Sequence, residues 1–270
     1  MRRSPAPAAL TTFIALTAFA RFATFATFAI AFAPVAAVAQ SAVGHVAEGD
    51  KAYAARRAPK ALTHYLAALA ADSTSTDALW RASRTEAELA EFDPDSAHAD
   101  SLLAHAERHA RAAVARAPRS APSHFVLAQA LGRIALRVPT TDRLPYATEI
   151  HKEALACLEL APTDAGCLHV LGVWDAEYMR LGHFSQEMAN SMTGGKLFAN
   201  ATWEEAERNL KAAIAVEPKR AIHHLDLARI YRDEGKAADA KAEFAAAAAA
   251  PLEDYNDEKY KEEAADSVRG

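Results

Sequence analysis

The sequence predicts an all-α protein: a right-handed solenoid of helical hairpins, about five repeats with inserts, finished by a C-terminal capping helix. Three observations carry this reading. Alanine dominates a chain that is 51% hydrophobic, while Gly (10) and Pro (12) are few among 270 residues and β-branched runs are scarce. Alanine is the best helix former, and the residues a sheet favours are the ones in short supply. Apolar residues recur three and four positions apart, the period of a helix with one buried face. Prolines close successive segments at Pro118, Pro162, Pro218 and Pro251, at intervals of 44, 56 and 33 residues.

The N-terminus stands apart from this pattern. Arg2 and Arg3 precede an apolar run rich in Ala, Phe and Thr that ends on Ala37-Val38-Ala39 before Gln40, a small-x-small cleavage pattern. Residues 1–39 read as a secretory signal peptide, leaving 40–270 as the helical repeat domain. The run is long and Arg21 interrupts it, so the alternative is an uncleaved membrane anchor over Phe22 to Ala39, about the length of a short span. In both cases the body is exported, to the periplasm or cell envelope, and touches a membrane only through this segment. Losing Arg2, Arg3 and Arg21, with no acid among them, takes the formal charge from −5 to −8. An acidic body lacks the basic face that nucleic acid requires.

The elements follow in order. The first hairpin has Gly49, Ala52 and Tyr53 on its first helix; Pro59 opens the second, where its missing N–H costs nothing, and Ala61, Tyr65 and Ala68 follow. The second begins at Thr76 with Trp80 and continues with Ala106, Ala110 and Ala113. The third has Leu127, Ala128 and Leu131, then Ile150, Ala154 and Cys157. The fourth has Leu168, Leu171, Gly172 and Trp174, then Ala206, Leu210 and Ala213. The fifth has His224, Leu227, Ala228, Tyr231 and Gly235, then Ala240, Phe244 and Ala247. Small residues at fixed places on paired helices let backbones approach, and the last hairpin matches the plain 34-residue tetratricopeptide pattern. Here His224 is expected to pack and His223 to be exposed. The excess length of the middle units falls between their two helices, at Glu91 to Ala97, Val138 to Tyr146 and Gly182 to Ala201, and is expected to project from one edge. The last insert has room for a short helix capped by Gly194-Gly195, and Thr202 with Glu205 forms a capping box for the helix that follows. The charged run Asp257 to Ala264 supplies the polar outer face a terminal element needs.

Cys157 and Cys167 lie five residues either side of Pro162, at matching heights if that proline marks an antiparallel turn. An exported chain permits a disulfide there; two small buried thiols are the alternative.

From about residue 75 onward the chain resembles the regulator of microtubule dynamics family, a branch of the tetratricopeptide proteins. The likeness rests on Ile150-His151-Lys152-Glu153-Ala154 leading to Leu158-Glu159-Leu160-Ala161-Pro162, on His169-Val170-Leu171-Gly172-Val173-Trp174, on Ala201-Thr202-Trp203-Glu204-Glu205-Ala206 and on Asp257 to Ala264. The resemblance implies an all-helical solenoid with a binding or scaffold role. Some members associate with microtubules or sit at organelle contacts, a role that does not carry over to an exported chain of bacterial composition.

Chemistry is sparse. His105 and His109 share a helix face but show no third ligand, Gly194-Gly195-Lys196 lacks the rest of a phosphate loop, and no nucleophile elbow or EF-hand spacing occurs. The sequence therefore predicts no catalytic residues, no metal and no cofactor. Trp174, Trp203 and Gly172 read as structural, the two tryptophans wedging the fourth repeat together. What remains is the concave groove: Phe125 and Gln129, then His169, Val173 and Ala176, then Leu225, Arg229 and Arg232. Arg229 and Arg232, three apart, could clamp a carboxylate, or could pair with Asp226, Asp233 or Glu234. The expectation is a non-enzymatic scaffold that binds a protein or peptide through its groove or insert edge; the alternative is a structural subunit of an envelope assembly using its outer surface.

Overall fold

The computed structural model describes residues 41–269; the expected leader, 1–39, lies outside them. Every regular element among them is helical: α1 (41–54), α2 (Ala58–Ala71), α3 (Thr76–Glu91), α4 (Ser96–Arg116), α5 (Ala121–Ala135), a 3-10 turn (Thr140–Asp142), α6 (Leu144–Leu160), α7 (Ala165–Met179), α8 (His183–Thr193), α9 (Trp203–Val216), α10 (Ala221–Asp233), α11 (Ala237–Ala249) and α12 (Asp257–Arg269). The hairpins are α1/α2, α3/α4, α5/α6, α7/α9 and α10/α11, and the first helices of neighbouring hairpins, α3, α5, α7 and α10, also touch in sequence. This is a tetratricopeptide-like solenoid of five repeats plus a terminal helix.

Local chemistry starts these helices where they start. Ser75, Asp95, Ser120, Asp164 and Thr202 each accept a backbone N–H from the first turn that follows, satisfying donors with no intrahelical partner. Pro59, Pro122 and Pro145 occupy the first turns of α2, α5 and α6. The box at Thr202 is half formed: Glu205 N–H bonds the threonine hydroxyl at 3.1 Å, while the Glu205 carboxylate faces Arg208. Gly194 ends α8 in the left-handed region at φ 66°, as a glycine cap does.

Packing within hairpins depends on small side chains. A Cβ on Gly172 would meet Leu210 Cγ at 2.8 Å and the Ala206 carbonyl at 3.0 Å, so α7 and α9 touch nearly backbone to backbone across the inserted α8. The two tryptophans do not form one wedge. Trp174 donates its indole N–H to the Ala147 carbonyl at 2.8 Å and stacks on Phe198, in the core shared by α5, α6 and α7. Trp203 sits against the separate core of α9 to α12. A disulfide joins Cys157 in the last turn of α6 to Cys167 in the first turn of α7, tying repeat three to repeat four.

Two histidines repeat one device. His124 and His224 each place Nδ1 on a glutamate of the partner helix, Glu153 at 2.5 Å and Glu243 at 2.6 Å. Each places Nε2 on a carbonyl ending the previous repeat, Pro118 at 3.0 Å and Pro218 at 3.1 Å. His223, expected to be exposed, is the more deeply buried of its pair at 3%; the turn after Pro218 rotates it inward, towards α7.

The inserts also differ from expectation. The first does not project: its length goes into the helices, making α3 16 and α4 21 residues long with a tight turn between. The second and third fold back over the concave side, where Leu144 is half-buried and Phe198 buried. The terminal helix does more than cap. Tyr260 and Ala264 bury against α10 and α11, and the start of α12 reaches across to α3. Asn256 Nδ2 donates to the Glu88 carbonyl at 2.9 Å, Tyr260 donates to Glu91, and the Phe92 and Tyr260 rings meet edge-on at 5.5 Å. The solenoid thus closes on itself.

Candidate binding chamber

Closure turns the open groove of a repeat array into a chamber of about 840 Å³. Its wall is amphiphilic. The third and fourth repeats supply an apolar part: Phe125, Leu144, Val170, Val173, Trp174 and Phe198. Met188 and Met192 of α8 close over it. The Phe125 ring lies so near α7 that a Cβ on Gly166 would stand 2.5 Å from it.

The polar part comes from α1, α3 and the segments around residues 220 and 254. Tyr53 donates to Glu88 at 2.6 Å, and the Arg84 guanidinium lies 3.7 Å from the centre of the Tyr53 ring. Arg220 pairs with Asp254, and Arg133 with Glu91 at 2.6 Å. Four buried atoms here have no hydrogen-bond partner among the described residues: Arg84 Nε, Glu88 Oε2, Gln129 Oε1 and Arg220 Nε, although Arg220 Nε lies 3.4 Å from Glu217 and Arg84 Nε 3.9 Å from the other oxygen of Glu88. Each unpaired buried polar atom costs about 1–3 kcal/mol, so the wall offers two donors and two acceptors to whatever enters. Burial pushes the Glu88 carboxyl up to about 7, with Arg84 pulling the other way.

Between these parts runs a chain of four side chains. Glu217 meets His223 Nε2 at 3.2 Å, His223 Nδ1 meets His169 Nδ1 at 2.9 Å, and His169 Nε2 meets Asp226 at 3.2 Å. Burial holds His223 down at about 4. Burial works to raise Asp226, but the hydrogen bonds and charges of His169 and Arg229 outweigh it and hold that carboxyl far below its ordinary value.

Phe125, Gln129, His169, Val173, Arg229 and Arg232 all lie on the chamber wall. Ala176 and Leu225 do not; both are wholly buried in the core of the last repeats. Arg229 is no free clamp: it forms a bidentate pair with Glu263 at 2.9 and 2.6 Å and a third bond to Asp226 at 2.6 Å. Arg232 rests over the Phe244 ring at 5.7 Å. The residues missed are Arg84, Glu88, Arg220, His223 and Tyr260. Arg84, Glu88 and Glu91 recur at helix spacing on one face of α3, a signal that could have marked that helix as groove-lining. Tyr260 carried no such signal, because a capping helix is expected to face outward.

Fold and chamber together define a helical-repeat protein of the tetratricopeptide type. Residues 45–269 match the family described as Regulator of microtubule dynamics protein 1-3, and the chain belongs to that family. One relative, Regulator of microtubule dynamics protein 3 of Xenopus laevis, is 25% identical over 164 residues, which are 60% of this chain and 35% of that protein. The chain thus matches about a third of that relative's length. Among solved structures, TTC0263, a thermophilic TPR protein of Thermus thermophilus, superposes with a TM-score of 0.58 at 20% identity, covering 85% of this chain and all of that one. That likeness speaks for the fold alone.

Proposed function

We propose that this chain is a non-enzymatic, exported scaffold that holds a segment of a protein or peptide partner in this chamber. The observation that carries the reading is the amphiphilic wall with four buried polar atoms that make no hydrogen bond among the described residues. Ligand pockets of roughly 300–1,000 Å³ are mostly apolar with a few placed polar groups, and this chamber has that composition. Its size suits a short stretch of chain or a single side-chain cluster, not a folded domain. The bonded cysteines and the leader-like N-terminus support an oxidising, exported setting. A second reading, a subunit of an envelope assembly docked through its outside, is favoured by α8, where Phe184, which is not part of the chamber wall, is 77% exposed.

Photo-crosslinking in living cells from Gln129, His169 and Val173, with Phe184 and Arg111 as outer positions, separates them. Products from the chamber positions alone support a captured segment, and mass spectrometry identifies it. Products from Phe184 or Arg111 alone overturn the chamber reading in favour of the assembly subunit.

A further inference from the structure

The insert of the fourth repeat carries a helix that the core of the protein does not need. α8 is 11 residues long and buries none of them, while α7 and α9 on either side of it in the chain pack together directly. Met188 and Met192 stand four residues apart and so share one face of α8. Both line the chamber, yet Met188 is 41% and Met192 67% exposed. A helix this short is marginal by itself in water, so its position depends on what it touches.

It touches little. Gln186 Nε2 donates to the Tyr178 carbonyl at 3.2 Å, and Asn190 Nδ2 donates to the Tyr178 hydroxyl at 2.9 Å. Ala189 rests on the core of the third and fourth repeats. His183 meets only Glu187, within the helix. Among the described residues no other side-chain hydrogen bond or ion pair leaves α8.

The flanks are held far better. Tyr178, before the insert, is buried in the last turn of α7. Phe198, after α8, is buried and stacks on Trp174 at 5.0 Å and on Tyr178 at 4.4 Å between ring centres. The insert is thus anchored at both ends and loose between them. The joints are glycines. Gly182 precedes α8, and Gly194 and Gly195 follow it at φ 66° and 72°. A Cβ added to any of the three would meet nothing within 4 Å, so nothing packs on the joints and glycine leaves their backbone free to turn. A short rigid element between two such joints has the construction of a hinged lid.

We infer that α8 is a lid over the apolar part of the chamber, which swings about Gly182 and Gly194-Gly195 to admit a large apolar side chain of the partner segment and then closes Met188 and Met192 onto it. The inference rests on the reading of the chamber as the binding site. Phe125, Val173 and Trp174 form the floor beneath the lid. Methionine suits the closing surface, because its flexible thioether adapts to the shape it covers and contacts aromatic rings favourably. Tyr178 holds the lid through its carbonyl and its hydroxyl, and it also carries Phe198, so one residue joins the moving helix to its fixed anchor.

Two measurements on the full mature chain test this. Hydrogen exchange read by mass spectrometry follows the lid without any ligand: residues 183–193 should exchange about tenfold faster, or more, than α7 and α9. Stopped-flow binding of N-phenyl-1-naphthylamine, a neutral apolar fluorescent probe, follows access. Y178F removes the hydroxyl that Asn190 bonds and keeps the ring on Phe198. It should raise the entry and exit rates of the probe about threefold or more and leave its Kd nearly unchanged. M188S/M192S changes exposed residues and spares the core; it should weaken probe binding about fivefold or more. L155S, 42% exposed on α6 and off the wall, should leave binding unchanged. Exchange in α8 as slow as in α7 and α9, or probe binding indifferent to both Y178F and M188S/M192S, overturns the lid and leaves the chamber standing. A wild-type chain that takes up no probe overturns the chamber as an apolar binding site, and the lid with it.

Discussion

The Nδ1 atoms of His169 and His223 stand 2.9 Å apart, so one ring donates and the other accepts. Glu217 accepts from His223 Nε2, which leaves His223 Nδ1 bare, and the proton between the rings sits on His169. Its Nε2 faces Asp226 at 3.2 Å, and His223 is the ring held neutral. Protonating His223 would break the inter-ring bond in a buried wall also occupied by Arg220 and Arg229.

A pH dependence follows. His223 is held at about 4 in the folded chain, against about 6.5 unfolded. Above pH 6.5 neither state is protonated there, and stability is full. Between about 6.5 and 4 the unfolded chain takes up a proton that the folded chain refuses, so stability falls as pH falls, by at most about 3 kcal/mol. Thermal unfolding from pH 8 to 4 should show a decline in Tm below pH 6.5 that H223Q flattens. An unchanged slope in H223Q would remove His223 as its source.

The adjacent histidine has the opposite sign. Glu243 raises the pKa of His224, burial opposes it, and the Pro218 carbonyl adds to the rise. With the folded value above the unfolded one, its contribution is fully present below about pH 6.5 and is lost as pH rises through the folded value. H224Q should therefore lower Tm more at pH 5.5 than at pH 8.5, and a loss equal at both would show the device to be pure packing.

Gly172 tests the close approach of α7 and α9. G172A puts a methyl group 2.8 Å from Leu210 and 3.0 Å from a backbone oxygen, and the backbone cannot yield as a side chain can. The cost should be about 1–3 kcal/mol. Gly132, in the last turn of α5, has nothing within 4 Å of an added Cβ, so G132A should stabilise by about 0.5–1 kcal/mol. Urea unfolding of the two variants should move in opposite directions.

The contrast between these glycines also shows what was legible in the sequence. Repeat length, small-residue spacing and capping residues are local, and they placed the five hairpins, the α8 helix with its Gly194 cap and the wall positions Phe125, Gln129, His169 and Val173. Partner choice is not local. Arg229 prefers Glu263 on a helix 34 residues away, so the expected clamp is occupied. Glu86 meets His105 and His109 only after α3 and α4 pair. His223 and His224 differ by one position in a turn, and a small rotation decides which one is buried.

Tyr260 is where closure is most exposed to test. Its hydroxyl donates to Glu91, whose other oxygen accepts from Arg133, so one carboxylate joins α12, α3 and α5. Y260F removes the donor while keeping the ring, which stays packed on Phe92 and the core of the last repeats. Glu91 keeps Arg133 and Asn256 Nδ2 at 3.2 Å, so the carboxylate is not orphaned and the loss should be about 1–2 kcal/mol. The effect should be local: hydrogen exchange should speed up in the segment around residue 256 and at the C-terminal end of α3, and remain unchanged in α6, α7 and α9. Faster opening should also raise the rate at which a chamber ligand enters and leaves. Exchange that accelerates evenly across all helices would mean that the contact supports global stability and that the chamber has no separate latch.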